Sequence, residues 1–345
     1  MKVAFCSLPL STGHNIRGIG AYTKNLLEAL KKDPEIEVQE FSEISEIDNS
    51  DIAHYPFFDL FQRSLPLLKK FPTVVTIHDV TPLVFPEHYP SGLKGSVNLL
   101  RQKLALKNVK SIITDSESSK KDIVRYLSIN SQDVHVIPLA ASGEFKQIDN
   151  IKLLNEVSFK YLLPKKFVLY TGNINWNKNL MNLALACEDV GVNLVLVGSG
   201  FDQRENLDHP ELKSFKVFLE RFGKDPDKHV LGFVPTADLV AVMNLAQVVL
   251  LPSFYEGFGL PILEAQACGT PVITSNISSM PEVAGEGALF VNPSSVSSIN
   301  KALVDVVKNK FLRENLVEKG FENIKKFSWE KTAKETIALY REISR

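Results

Sequence analysis

The stretch SFYEGFGLPILEAQACGTPVIT, residues 253–274, carries two glutamates, Glu256 and Glu264, on either side of a glycine-rich turn. The run before it, QVVLLPS (247–253), reads as a buried strand, and it closes on a second, PVITS (271–275). Pro261 suits the first turn of a helix, where its missing N–H would lack a partner in any case. Gly269 suits the C-terminal stop. The stretch is therefore strand, turn, helix, strand, the repeating unit of a parallel α/β sheet. Glu256 falls in the loop and Glu264 is expected in the first helical turn. Gly257 and Gly259 let backbone N–H groups approach a ligand without a Cβ in the way. The N–H groups of Phe258, Gly259, Leu260 and Ile262 then lie at the positive end of a helix dipole, an anion site. A carboxylate there is a poor phosphate ligand but a good acceptor for vicinal hydroxyls. Two of them flanking a phosphate site describe a nucleotide-sugar. The alternative is that both acids only stabilise the helix dipole.

The same alternation runs outward in both directions. KVAFCSL (2–8), IEVQEF (36–41), DIAHY (51–55), TVVTIHD (73–79), SIITDS (111–116) and VHVIPLA (134–140) read as strands, with helices at 20–32, 91–110 and 116–127. A polar stretch at 142–165 interrupts the pattern and reads as a hinge. It restarts with FVLYTG (167–172), VNLVLVG (192–198), HVLGFV (229–234), QVVLLPS, PVITS and ALFVNP (288–293). Continuous Val/Ile runs between helices indicate parallel strands covered on both faces. The expected fold class is α/β, two Rossmann-like doubly wound domains, 1–160 and 161–327, facing each other across a cleft. The last helix, 328–345, opens on Ser328 and is expected to pack back on the first domain.

Bulk properties narrow the class. A chain of 345 residues suits two domains, and a net charge of −1 gives no global field for nucleic acid. No apolar run reaches the roughly 18 residues of a membrane span. The start, MKVAFCSLPL, reads as a first strand and not as a signal peptide. Cys6, Cys187 and Cys268 are far apart in apolar contexts, which suits buried reduced thiols in a cytoplasmic protein. With no Cys-x-x-Cys or paired-His spacing, no metal site is expected.

Two further turns suit phosphate. TGNINWNKN (171–179) joins strand to helix and places Lys178 near the cleft. RGIGAY (17–22) puts Gly18 and Gly20 at the N-terminus of the first helix. Thr23 stands where a dinucleotide fingerprint needs its third glycine, and no acid follows a clear second strand, although Glu40 and Glu43 lie near. This argues against a nicotinamide enzyme. The DPD at 225–227 sits in a charged loop and reads as a surface turn.

At this point the residues resemble a known family. PSFYEGFGLPILEAQACGTPVITSN (252–276) resembles the signature of the retaining glycosyltransferases of family 4, which have the GT-B fold; their Glu, seven residues, Glu pattern maps onto Glu256 and Glu264. The resemblance continues in YTGNINWNKN, GFVPTADLVAVMNLA, SSMPEVAGEGALFVNP and FSWEKTAKETIALYREI, and in RGIGAYTKNLLEAL, VVTIHDVTPLVFPEHYP and VIPLAASGEF of the first half. It implies that Glu256 holds hydroxyls of a donor hexose and Glu264 the nucleotide ribose. It implies that Lys178 neutralises the diphosphate, with the amides of Gly18, Gly20, Gly259 and Leu260, and that Phe233 and Val234 line the base. His78 would approach the transferred sugar. His78, Lys178 and Glu256 are then the catalytic candidates, with Gly257 and Phe258 among the donor contacts. Many relatives carry an arginine where this chain has Asn173 or Asn177, which shifts charge neutralisation to Lys178 and Arg17.

The implied reaction is retaining hexosyl transfer from a nucleotide-sugar to a glycan or lipid-linked glycan, needing no cofactor and no metal. TIHDVTPLVFPEHYP most resembles mannosyltransferases of polysaccharide assembly, which favours GDP-mannose; UDP-glucose is the alternative donor. A nucleotide-sugar 2-epimerase shares the architecture but lacks the 256–264 pattern, and a glycosidase would set its two carboxylates across a sugar. For the acceptor side, 54–71 is aromatic-rich, and 91–110 carries Lys94, Arg101, Lys103, Lys107 and Lys110 without an acid. Leu93, Val97, Leu100 and Leu104 recur at helical spacing and are expected to face the core. The basic face either is solvated or rests on the anionic inner face of a membrane.

Overall fold

The computed structural model describes residues 1–11, 18–203, 205 and 207–344. It divides into two compact units, Met1–Ala140 with Phe327–Arg345, and Ala141–Lys326. The division falls at 140/141 and not at 160/161. The helix Ile151–Lys160 packs on a helix of the second unit, and Lys160 Nζ and Tyr161 Oη both donate to Asp238, each at 2.7 Å.

The first unit runs β1 (Lys2–Cys6), α1 (Gly18–Leu30), β2 (Glu37–Phe41), β3 (Ile52–Tyr55), β4 (Thr73–Thr76), α2 (Thr81–Val84), α3 (Gly92–Leu106), β5 (Ser111–Thr114), α4 (Glu117–Leu127) and β6 (Val134–Val136). All its pairings are parallel, in the order β2-β1-β3-β4-β5-β6. β3, β4 and β5 are buried along their whole length, as expected of strands covered on both faces. Ser116 caps α4 by accepting from the Ser119 N–H at 3.0 Å.

The second unit runs α5 (Ile151–Lys160), β7 (Phe167–Thr171), α6 (Leu180–Val190), β8 (Asn193–Val197), α7 (Lys213–Phe222), β9 (Lys228–Gly232), α8 (Thr236–Leu245), β10 (Val248–Leu251), α9 (Leu260–Ala267), β11 (Val272–Ser275), α10 (Met280–Ala284), β12 (Ala288–Val291), α11 (Val296–Lys308) and α12 (Lys310–Ile324). Its six parallel strands are ordered β12-β11-β10-β7-β8-β9, so the order reverses between β7 and β10. α6 packs against α7 and α11, whereas α9 packs against α10 and α12. Helices leaving β7 and β10 for different layers open a crevice at their carboxyl ends, where ligands of such sheets bind. Beside it, where the loops after β7 and β8 cross, a Cβ on Gly198 would lie 2.0 Å from the Gly172 carbonyl oxygen, so only glycine lets those two loops pass.

The chain returns to the first unit in α13 (Trp329–Ile343), capped by Ser328. Its Tyr340 Oη bonds His54 Nδ1 at 2.5 Å; His54 Nε2 bonds Thr76 Oγ1 at 2.8 Å; Thr76 Oγ1 bonds Tyr22 Oη at 2.9 Å. This buried line ties α13, β3, β4 and α1 together. Cys6, Cys187 and Cys268 are buried free thiols. Among the described residues no helix is long and apolar enough to cross a membrane.

One expectation is inverted. α3 buries Gly95, Asn98, Gln102, Ala105 and Leu106, and leaves Leu93, Val97, Leu100 and Leu104 exposed. The buried face is held by amides: Asn98 Nδ2 donates to Phe61 O at 2.9 Å, and Gln102 Nε2 to Asp59 O at 3.0 Å and Ser64 Oγ at 2.7 Å.

Burial pushes the His54 imidazole from its ordinary 6.5 to about 3. The unfolded chain takes up a proton near 6.5 that the folded state refuses until about 3, so stability falls as pH drops through that window. His54→Asn is expected to flatten that part of the profile of unfolding midpoint against pH. Tyr340→Phe, which leaves a ring nitrogen unpaired, should cost about 1–3 kcal/mol in denaturant unfolding.

Candidate functional site

In the second unit the site forms where the loops after β7 and β10 meet. Asn177, buried in the first loop, accepts at its backbone carbonyl from Phe254 N at 2.7 Å and donates through Nδ2 to Tyr255 O at 2.8 Å. Asn179 takes the left-handed conformation, φ 57°, which asparagine tolerates better than most residues. Its Nδ2 donates to Pro252 O and Pro293 O, both at 2.8 Å. Trp176 stacks on Phe254 with centroids 4.9 Å apart. The asparagine at 177 thus splices two backbones. Asn173 accepts the Ile174 N–H at 2.9 Å.

This splice sets Lys178 against Glu256, Nζ to Oε2 at 2.6 Å, with the two side chains 19% and 13% exposed. Ser253 Oγ donates to the other oxygen, Oε1, at 2.7 Å. The Glu256 carbonyl accepts from Ser278 Oγ at 2.8 Å and Ser279 Oγ at 2.9 Å. Both carboxylate oxygens are engaged and the backbone is pinned, so the charged pair is preorganised. Ser253, Ser278 and Ser279 were missed from sequence because serine on a loop carries no distinctive spacing.

Gly259, φ +101°, caps α9, and no described residue accepts from the N–H of Gly259 or Leu260. Ile262 N–H is not free for a ligand; it donates to Gly259 O at 2.9 Å. Gly257 and Phe258 flank the same turn. With α9 starting at Leu260, Glu264 lies in the second turn and not the first. None of the described residues bonds its carboxyl, and burial raises it to about 7. Phe233 and Val234 follow β9; Phe233 is 53% exposed and Val234 is buried. Asp225 accepts the Asp227 N–H at 2.9 Å and pairs with Lys228 at 3.1 Å, closing the DPD turn on itself.

In the first unit His78 follows β4. Its Nδ1 lies 2.7 Å from Asp115 Oδ2, and the Tyr22 ring meets it edge-on with centroids 4.7 Å apart. Nε2 and Asp115 Oδ1 are buried with no hydrogen-bond partner among the described residues. Burial works against the imidazolium, but the Asp115 carboxylate, helped by Asp79, more than offsets it and raises His78 above 6.5. Asp115 lies 37 residues on in sequence, so no local motif links it to His78. Gly18 is exposed at the start of α1 and Gly20 is buried within it. Arg17 lies outside the described residues.

Comparison with known proteins identifies the family and the fold. Residues 155–323 match the family described as Glycosyl transferases group 1, and residues 41–141 match Glycosyltransferase Family 4. The O-antigen chain mannosyltransferase B of Escherichia coli is 30% identical over 274 residues, 78% of this chain and 70% of that one. Sucrose-phosphate synthase from Thermosynechococcus elongatus superposes with a TM-score of 0.77 at 19% identity, covering 99% of both chains. Anabaena HepE, solved in complex with UDP and glucose, gives 0.76 at 16% identity over 98% of this chain and 99% of that one. Those two likenesses show the GT-B fold. The profile matches and the mannosyltransferase relative show that the chain belongs to the family 4 glycosyltransferases.

Proposed function

We propose that the chain transfers mannose from GDP-mannose, with retention at the anomeric carbon, to a hydroxyl of a glycan or lipid-linked glycan. The observation that carries this reading is the Lys178–Glu256 pair, pinned beside the amides of Gly259 and Leu260 at the β7/β10 crevice. A cation and helix N–H groups suit a departing diphosphate, and an adjoining carboxylate suits sugar hydroxyls. In the bound state the diphosphate takes Lys178, freeing an oxygen of Glu256 for the hexose. Glu264 accepts the ribose hydroxyls and Phe233 and Val234 carry the base. His78, whose Nδ1 lies 2.7 Å from Asp115, is the first unit's candidate for a contact with the transferred sugar. Charge neutralisation by these groups needs no metal. The choice of mannose follows the E. coli relative's name, and GDP follows the resemblance to mannosyltransferases of polysaccharide assembly; UDP and glucose in Anabaena HepE keep UDP-glucose as the second reading. The buried free thiols suit a reducing cytoplasm.

Three outcomes are expected. Among GDP, UDP and ADP with their sugars, GDP-mannose should raise the unfolding temperature most, since a ligand at 100-fold its Kd adds about 2.7 kcal/mol; equal shifts for all would reject the donor assignment. Glu256→Ala and Lys178→Ala should each lower turnover by about tenfold or more with folding intact, because each removes about 1.4 kcal/mol or more of transition-state stabilisation. Donor affinity should weaken as pH falls through about 7, where Glu264 takes up a proton and loses acceptor capacity, and Glu264→Gln should remove that dependence.

A further inference from the structure

The exposed side of α3 has the form of an interfacial helix. Leu93, Val97, Leu100 and Leu104 stand 91%, 68%, 64% and 47% exposed. At 100° per residue they fall on one narrow stripe. Lys94 and Arg101 border it on one side, Lys103 and Lys107 on the other, and 92–110 contains no acid. The chain as a whole carries −1, so this positive charge is local. An open groove of 980 Å³ runs beside the stripe, lined among others by Phe61, Arg63, Leu93, Lys94 and Val97. The loop held to α3 by Lys69 Nζ donating to Ala105 O leaves Leu68 84% exposed.

A solvated basic face would explain the lysines but not four aliphatic side chains in one row against water. A second copy would bring the basic borders against each other, since a two-fold interface uses the same patch twice. We propose that this face docks on a bilayer containing anionic lipid. The aliphatic stripe sinks to the acyl boundary while Lys94, Arg101 and Lys107, with Arg63 from the groove, meet headgroup phosphates. This inference is independent of the donor and of the roles given to Lys178 and Glu256.

The test is flotation of the full chain with vesicles of phosphatidylcholine, with and without phosphatidylglycerol. The chain should float with the anionic vesicles at low salt, less at high salt, and stay behind with phosphatidylcholine alone. Leu93→Gln with Leu100→Gln should lower the bound fraction about tenfold. Its unfolding midpoint and its transfer to a soluble acceptor should not change, because both side chains are exposed. Lys94→Gln with Lys107→Gln should reduce the salt dependence. Failure to float on anionic vesicles at low salt, or flotation of the Leu93→Gln/Leu100→Gln chain at wild-type level, overturns the proposal. So does a wild-type dimer without vesicles that this variant loses, which would make the face a contact between copies.

Discussion

The splice between Asn177 and the 254–255 backbone is the constraint on which the second unit's site depends. It fixes two loops from adjacent strands to each other before any ligand arrives, and it does so with buried amide hydrogen bonds that the backbone would otherwise leave unmade. Lys178 and Glu256 are its neighbours in sequence. The splice brings their backbones near each other, and their side chains meet at 2.6 Å. Attraction between them in a partly buried setting is offset by the cost of removing both charges from water. The pair is therefore better understood as a cation and a carboxylate held in position by the surrounding loops.

Much of the fold was legible. Continuous Val/Ile runs such as FVLYT and TVVT announced strands buried on both faces, and the structure buries them end to end. Pro261 and Gly269 bounded α9 to within a residue. The glycines of the 257–259 turn pointed to the crevice because φ +101° at Gly259 is a conformation that side chains oppose. Glu264 falls one residue beyond the first turn because its helix begins at Leu260, and sequence alone leaves a helix start uncertain by a residue or two.

What the sequence hid has a common cause. Asp115 meets His78, and Tyr340 meets His54, across distances in sequence that no spacing rule spans. α3 shows a second limit. Its period reveals an apolar stripe but not which face the rest of the chain covers. The decision was made by Asn98 and Gln102, whose amides bind the loop at 59–64. Helix periodicity reports a contrast between faces, and burial is settled by the partner.

The bond from His54 to Tyr340 joins side chains 286 positions apart. During synthesis the first unit's sheet is made early, yet one ring nitrogen at its centre waits until Tyr340 has left the ribosome. The second unit, continuous from 141 to 326, has all its residues in hand sooner. Order of manufacture and order of completion are thus reversed: the half made first is the half finished last, and the last helix acts as the clasp that closes it.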